Sequence, residues 1–486
     1  MIECTANDVC AATGATLVCG TGEETLVGVA IDSRRVGERG LFVAFPGENV
    51  DGNDYVANAI AAGAGAGVVA VTRAVSPEVE RAALEAGCAI VRAADDDGTE
   101  FMLRLAEWWR ARQDWCVVGV TGSVGKTTTK EMLADALGAK YEVHATAGNF
   151  NNLIGVPITL LEAPTSAQVL VIEMGMNHPG EIDRLAKCAR PRVAVITNVG
   201  TSHIGLLGSR ENIARAKGEI VAPLAAVPAS TVAPEPRLFM CADGDYTPFI
   251  AREFADAAGI PVTLVGAGAG CFAGAANVTL DDEAHPSFDL SIAGENGARR
   301  VTLSLTGSQV VPDFLLALSV ACHMGVDANA AVCALSSLAP THMRQEVVRA
   351  ACGCRIIDDS YNAAPDSVAA ALNALCSMKV EEGGRRIAVL GEIGELGDEE
   401  ERLHELVGAY AAAKPLDMLV IVGTDRADHM ESAARLMGFS EDKIVRVDDV
   451  HALTNVMSGV LAPDDLVLVK ASRAAMLDVF VKAVTA

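Results

Sequence analysis

Short apolar runs rich in Val, Ile and Ala alternate with longer Ala-rich stretches from one end of the chain to the other. That alternation marks strand–helix units feeding a parallel sheet, and it excludes helix bundles and β-sandwiches. The fold class is therefore α/β. At ~150 residues per domain, 486 residues imply about three domains, each long enough to bury its own core. The first has strands such as Leu41-Phe42-Val43-Ala44-Phe45 and Val68-Val69-Ala70-Val71 and fades at the acidic stretch Asp95-Asp96-Asp97, so it is assigned residues 1–97. A helix from about Thr99 to Arg112 opens the second, 98–340. The Pro- and Ala-rich segment between Pro223 and Pro236, with the hairpin-like alternation up to Gly307, predicts an irregular lobe of that second domain. A third α/β unit, 341–486, carries the apolar runs Arg355-Ile356-Ile357, Ile387–Leu390, Met418–Val422 and Leu466–Val469.

Composition narrows the function. A net charge of −25 repels phosphate backbones, so nucleic acid is not an expected partner. No apolar run approaches the ~18 residues of a membrane span, and Met1-Ile2-Glu3-Cys4 lacks the basic start of a signal peptide; a cytoplasmic chain without membrane insertion is expected. Thirteen scattered cysteines with no Cys-x-x-Cys read as core thiols.

The sharpest local signal is Thr121-Gly122-Ser123-Val124-Gly125-Lys126-Thr127-Thr128-Thr129, set between the apolar run Cys116–Val120 and a helix bearing Met132, Leu133, Ala136 and Leu137. Glycines let the backbone wrap a phosphate, a helix N-terminus offers free N–H groups, Lys126 adds a point charge, and a Thr hydroxyl suits Mg²⁺. ATP is the expected ligand, although Val120 stands where the strict P-loop pattern has its first glycine. Two further strands end in polar groups: Val169–Ile172 in Glu173, and Val193–Ile196 in Thr197-Asn198, with His203 beyond. In a parallel sheet such ends share one carboxyl edge, where ligands bind. A carboxylate beside a triphosphate needs a cation between them, which makes Glu173 a candidate Mg²⁺ ligand. Taken singly, Glu173 also fits a solvated strand end and His203 a capping or core histidine. Asn149, Asn151 and Asn152 fit a ligand-binding turn or a plain one, and Asp32-Ser33-Arg34 fits an anion contact or an ordinary surface arginine.

In this order and spacing the motifs resemble the Mur ligases. The resemblance is carried by Asp32-Ser33-Arg34 with Gly40–Ala44, Thr121–Glu131, Gly148–Asn152, Glu173–Ile182, Asn198–His203, Ala216-Lys217-Gly218-Glu219-Ile220, Asp358–Ala363 and Leu468–Arg473. It implies the three-domain Mur ligase architecture: an N-terminal UDP-MurNAc-recognition domain, a central P-loop ATPase parallel sheet and a C-terminal Rossmann-like ligase domain. Within the family it points to the branch that adds D-alanyl-D-alanine to UDP-MurNAc-tripeptide, with ATP and Mg²⁺, as a monomer. By motif, Lys126 would meet the β/γ-phosphates within an ATP site of Gly122, Ser123, Val124, Gly125, Thr127 and Thr128. Thr127 and Glu173 would hold one Mg²⁺ and His203 a second, and Lys217 matches a lysine that is carbamylated into an anionic metal ligand. Arg344 and Asp359 would reach the nucleotide. Ser33 and Arg34 would take the uridine end, and Asn149, Asn151, Asn152, Lys470, Ser472 and Arg473 would take substrate.

Several positions depart from the pattern. Gly205 stands where the family usually has an acidic residue, Gln309 to Asp313 replace a His-Asn pair and a further Asn near the adenine, and Ala364, Ala471 and Asn53 replace Asn, Gly and His. Two rivals follow. One is a relative with another amine donor, of the folylpolyglutamate-synthase kind, opposed by Asp358–Ala363 and Asp32–Arg34. The other is a non-catalytic nucleotide-binding scaffold, which the departures at Gly205 and around Val310 would support. Retention of Lys126, Glu173, His203 and Lys217 favours a working ligase.

Overall fold

The strand that enters the glycine loop, Cys116–Thr121, sits inside a nine-stranded sheet in the computed structural model, which describes residues 1–47, 50–61, 67–228, 232–233 and 235–485. Val169–Glu173 and Val193–Ile196 flank it, both parallel to it. Val143–Ala145 closes one edge, while Arg237–Cys241 and Val262–Val265 extend the other, again in parallel. Alternate residues point to opposite sides, and both sides are covered. Val118, Val120, Val171 and Val195 face the helices Lys126–Gly138 and Val310–His323; Val117, Leu170, Ile172 and Ile196 face the helices Gly155–Glu162 and Glu181–Ala189. Burial on both faces is why these strands read as unbroken apolar runs.

The segment expected as an irregular lobe is instead sheet. Beyond Val262–Val265, Ala273–Leu280 joins in parallel, and Pro286–Ile292 and Arg299–Thr302 follow antiparallel. The hairpin alternation belongs to these last strands. Short runs such as Leu238-Phe239-Met240 are core strands whose signal is diluted by the Pro- and Ala-rich stretch before them, of which 229–231 and 234 lie outside the described residues.

Two smaller sheets stand at either end of the chain. Residues 16–92 hold a five-stranded sheet whose Val29–Ala30, Leu41–Val43, Val68–Val71 and Ala89–Arg92 strands run parallel, with Thr16–Cys19 antiparallel at the edge. Residues 346–470 hold a six-stranded sheet in which Arg355–Asp359, Leu466–Lys470, Arg386–Gly391, Met418–Val422 and Ile444–Val447 are parallel and Glu346–Arg349 is the antiparallel edge.

The helix expected over Thr99 to Arg112 runs Thr99–Arg110. It ends where the Arg110 guanidinium turns inward and donates to the carbonyls of Ala189 (2.9 Å), Gln113 (2.9 Å) and Trp115 (2.8 Å). Burial pulls this guanidinium down to about 10, and three carbonyl acceptors offset its desolvation. The helix packs its Phe101, Leu105 and Trp109 face between the first helix, Ala6–Thr13, and the central helices, which fixes the first sheet to the second.

On the other face, Phe314 is fully buried and meets Phe288 edge to face, with centroids 5.3 Å apart. Its helix packs directly on the helix that leaves the glycine loop. Truncating a buried Phe leaves a cavity as well as lost transfer energy, so Phe314→Ala should cost ~3–5 kcal/mol. Urea unfolding checks this; a loss under ~1 kcal/mol would show that the helix is held by other contacts.

Candidate active site

Three in-register strand ends assemble the site. Glu173 lies opposite Val120, and Ile196 lies opposite Thr121, so the residues after each strand emerge side by side. The chain after Thr121 turns through Gly122-Ser123-Val124-Gly125 into the helix Lys126–Gly138. Gly125 takes φ 83°, and its carbonyl already accepts the first helical bond, from Thr129 (2.8 Å). A Cβ at Gly122 would sit 1.8 Å from Thr197 Oγ1, so the loop's first turn tolerates no side chain.

The loop is gripped from the neighbouring strand end. Asn198 Oδ1 accepts from Val124 N–H (3.1 Å), Asn198 Nδ2 donates to Val124 C=O (3.0 Å), and Thr197 Oγ1 donates to the same carbonyl (2.6 Å). Ser123 N–H donates to Asn198 C=O (3.1 Å), and Ser123 Oγ accepts from Gly200 N–H (2.9 Å). The loop shape is therefore set by protein contacts. Lys126 Nζ donates to the carbonyls of Gly122 (2.7 Å) and Ser123 (3.2 Å), which puts its charge at the loop mouth. Burial lowers its pKa, with Glu173 opposing that shift.

Glu173 is buried and doubly held: Thr127 Oγ1 donates to its Oε2 (2.9 Å) and Asn151 Nδ2 to its Oε1 (2.8 Å). Its own N–H donates to Thr146 Oγ1 (3.0 Å), while the buried Lys130 donates to Thr146 C=O (2.7 Å). Two hard oxygen donors thus stand together beside the P-loop lysine, as a small divalent cation requires. His203 follows on the next loop with φ 64°, its Nδ1 2.6 Å from Glu395 Oε2.

A cavity of about 990 Å³ opens over these groups, lined by residues from Ser123 to Thr128 and by Asn149, Asn151, Asn152, Glu173, His203, Arg344, Asp359, Lys470 and Arg473. Arg344 lies over the Tyr361 ring at 4.4 Å, between Met343 and Gln345, both in left-handed backbone. Asp359 and Lys470, expected as separate ligand contacts, are each other's buried partner: Lys470 Nζ donates to Asp359 Oδ2 (2.7 Å) and to Asn362 C=O (3.0 Å). Asn152 accepts from Gly155 N–H (2.8 Å) at the start of the next helix.

Five expected residues lie off the cavity lining. Gly122 is under the loop. Ser472 turns its hydroxyl to the Glu392 carbonyl (2.7 Å). Lys217, at the end of the helix Arg210–Gly218, is buried behind the wall, where burial and the Lys126 charge hold its amine well below the usual lysine range. Ser33 and Arg34 lie in the short 3-10 turn Ser33–Arg35 after the first sheet's strand Val29–Ala30, where the exposed Arg34 folds back on Asp32 (2.8 Å).

Sequence reasoning missed two groups. Glu395 has no signal in its local sequence, because its meaning comes only from meeting His203. Asp313, noted as a departure, lies buried against the P-loop: it accepts from Thr129 Oγ1 (3.0 Å), and a Cβ at Gly125 would approach its Oδ1 to 2.8 Å. The replaced stretch therefore does line the same cavity, with Gln309 Nε2 bridging Thr306 C=O (2.9 Å) and Gln345 Oε1 (2.8 Å).

Comparison with known proteins agrees along the whole chain. Residues 25–106 match the Mur ligase family, catalytic domain; residues 120–321 match the Mur ligase middle domain; residues 343–473 match the Mur ligase, glutamate ligase domain. A UDP-N-acetylmuramoyl-tripeptide--D-alanyl-D-alanine ligase of Bacillus subtilis is 33% identical, covering 99% of this chain and 98% of its own. The crystal structure of MurF from Acinetobacter baumannii superposes with a TM-score of 0.83 at 29% identity over 100% of this chain and 99% of its own. MurF from Thermotoga maritima, solved in complex with ADP, gives 0.75 at 26% over 94% and 97%. With three domain matches in order and a near full-length relative above 30% identity, the chain belongs to the Mur ligase family, on the branch of UDP-N-acetylmuramoyl-tripeptide--D-alanyl-D-alanine ligases.

Proposed function

We propose that this chain forms the amide bond between UDP-MurNAc-tripeptide and D-alanyl-D-alanine at the expense of ATP. The observation that carries the reading is the convergence of Lys126, the Thr127–Glu173 pair and His203 on one cavity bounded by the central and C-terminal sheets. The tripeptide carboxylate is a poor electrophile. One of its oxygens attacks the γ-phosphorus, the bond to the bridging oxygen breaks, and ADP leaves an acyl phosphate. The free amine of D-alanyl-D-alanine then attacks the acyl carbon, and phosphate departs. Holding three reactants together is worth ~7–11 kcal/mol of the barrier, which suits a site built between two units of one chain. The chain is assigned as a monomer. Residues 1–97, 98–340 and 341–486 are taken as its three domains. Among the described residues no helix is long and apolar enough to cross a membrane. ATP as the phosphoryl donor places the work in the cytoplasm.

Each residue's chemistry fits its assigned part. The helix-opening N–H groups of Gly125, Lys126 and Thr127, together with the Lys126 side chain, would hold the phosphates. Thr127 and Glu173 offer the oxygen donors for one Mg²⁺, with His203 and Lys217 assigned to a second. Bound there, magnesium would neutralise charge on the phosphate oxygens. Lys217 suits carbamylation because burial favours its neutral amine: the nitrogen lone pair adds to CO₂, an N–C bond forms as one C=O π bond opens, the nitrogen loses a proton, and the neutral amine becomes an anionic carbamate. Arg344 and Asp359 are assigned to the nucleotide; Ser33, Arg34, Asn149, Asn151, Asn152, Lys470, Ser472 and Arg473 are assigned to the substrates.

Two tests follow. Phosphate release from ATP should require both UDP-MurNAc-tripeptide and D-alanyl-D-alanine, and Lys126→Ala should abolish it while circular dichroism stays unchanged; release with a different amine, or ATP binding without release, would overturn the reading. Burial pushes the Asp313 carboxyl up to about 7 from an ordinary 3.8. The native chain therefore keeps this proton while the unfolded chain loses it, so the contribution to stability falls as pH rises from 4 to 7. Asp313→Asn removes that loss. Its stability relative to the parent should rise across this window, on the order of 4 kcal/mol at most, and equal melting shifts at pH 4.5 and 7.5 would refute it.

A further inference from the structure

His203 comes from the central sheet, yet the carboxylate at its ring comes from the C-terminal unit. Glu395 Oε2 lies 2.6 Å from His203 Nδ1. Both residues hold φ 64°, a left-handed conformation that a non-glycine residue keeps only where its surroundings impose it. The surroundings here are reciprocal. Gly205 N–H donates to Glu395 C=O (3.0 Å), and a Cβ at Gly205 would lie 2.3 Å from Gly397 N and 2.6 Å from Leu396 C. Backbone meets backbone, so position 205 has no room for a carboxylate of its own. A second contact secures the same loop: Thr201 Oγ1 donates to Asp366 Oδ1 (2.9 Å), again across the two units.

We propose that Glu395 is the positioning residue for His203, delivered by the C-terminal unit, so that the histidine presents its second nitrogen to the metal position only when the two units are docked. The inference rests on the ligase reading for the metal position itself. The buried His203 Nδ1 has no aligned hydrogen-bond partner and stands 2.6 Å from the Glu395 carboxylate, which a small ring rotation would align; so aligned it would keep the proton on that nitrogen, fix the ring and leave Nε2 with the lone pair a cation needs. The device makes the site complete only in the closed arrangement, where water is excluded from the reacting groups.

The test uses the full chain with Mn²⁺ and a non-hydrolysable ATP analogue, read by electron paramagnetic resonance. Wild type should bind two Mn²⁺, one showing a histidine-nitrogen coupling in spin-echo modulation that His203→Ala removes. Glu395→Gln should weaken that one site 10–100-fold and diminish the coupling, leaving the other Mn²⁺ and the affinity for the analogue unchanged. Gly205→Ala, which wedges the units apart without touching the carboxylate, should reproduce the loss. Unchanged coupling in either variant, or none in wild type, overturns the proposal. Phosphate release with both substrates reports separately on the ligase reading, so a chain that turns over normally but shows no effect of Glu395→Gln refutes this inference alone.

Discussion

The structure depends most on the register of three neighbouring parallel strands. Val120 pairs with Glu173 on one side and Val195 on the other, which brings a carboxylate, the glycine loop and a polar loop to a common edge without any long side chain having to reach. A slip of one residue would turn Glu173 from the Thr127 hydroxyl towards the other face of the sheet and exchange the buried valines for their neighbours. Because both faces are covered by helices, such a slip would bury the wrong set on both sides. The apolar core and the reactive edge are thus specified by the same pairing.

Charge inside the cavity is handled by burial as much as by pairing. A chain with net charge −25 must still receive a triphosphate, and it does so with few cations. Lys126 stays close to Glu173, which opposes the burial that lowers its pKa, whereas Lys217, deeper and next to another cation, is driven towards the neutral amine. Asp313 moves the opposite way, towards the protonated acid, for the same reason. A carboxylic acid against the loop is compatible with an incoming phosphate where a carboxylate would repel it. Desolvation therefore turns an acidic chain into one with a local anion site.

How much of this could be read from the residues follows from how local each signal is. The strands Cys116–Thr121, Val169–Glu173 and Val193–Ile196 were legible because each is an apolar run ending in a polar group, and the loop was legible because glycines and a lysine fall between a strand and a helix. Carboxylate and hydroxyl could be paired on that basis, and they meet at 2.9 Å. Pairings formed by distant segments were not legible. Lys470 and Asp359, 111 residues apart, each look like free ligand contacts until the sheet places Asp359 and Lys470 side by side. The strands Arg237–Cys241 and Val262–Val265 were hidden by composition, since they are short and follow Pro- and Ala-rich sequence.

The same locality explains the character of the junction between the central and C-terminal units. Near the cavity it is made by glycines and short polar groups: Gly205 against Gly397, and Gly200 and Thr201 against Asp366. Glycine there reads as an ordinary turn residue, because only the partner segment reveals that a Cβ has no space. Farther away the junction is ionic, with Arg355 bonded to both oxygens of Glu283 (3.0 and 3.1 Å) and Lys379 Nζ 3.5 Å from Asp282 Oδ2. Steric fit falls off within a fraction of an ångström, while a charge pair tolerates movement and weakens only gradually with distance. A junction built this way is held to a close steric fit at the cavity and to a gentler charge pairing at the rim, and the carboxylate of Glu395 lies on the side where the fit is closest.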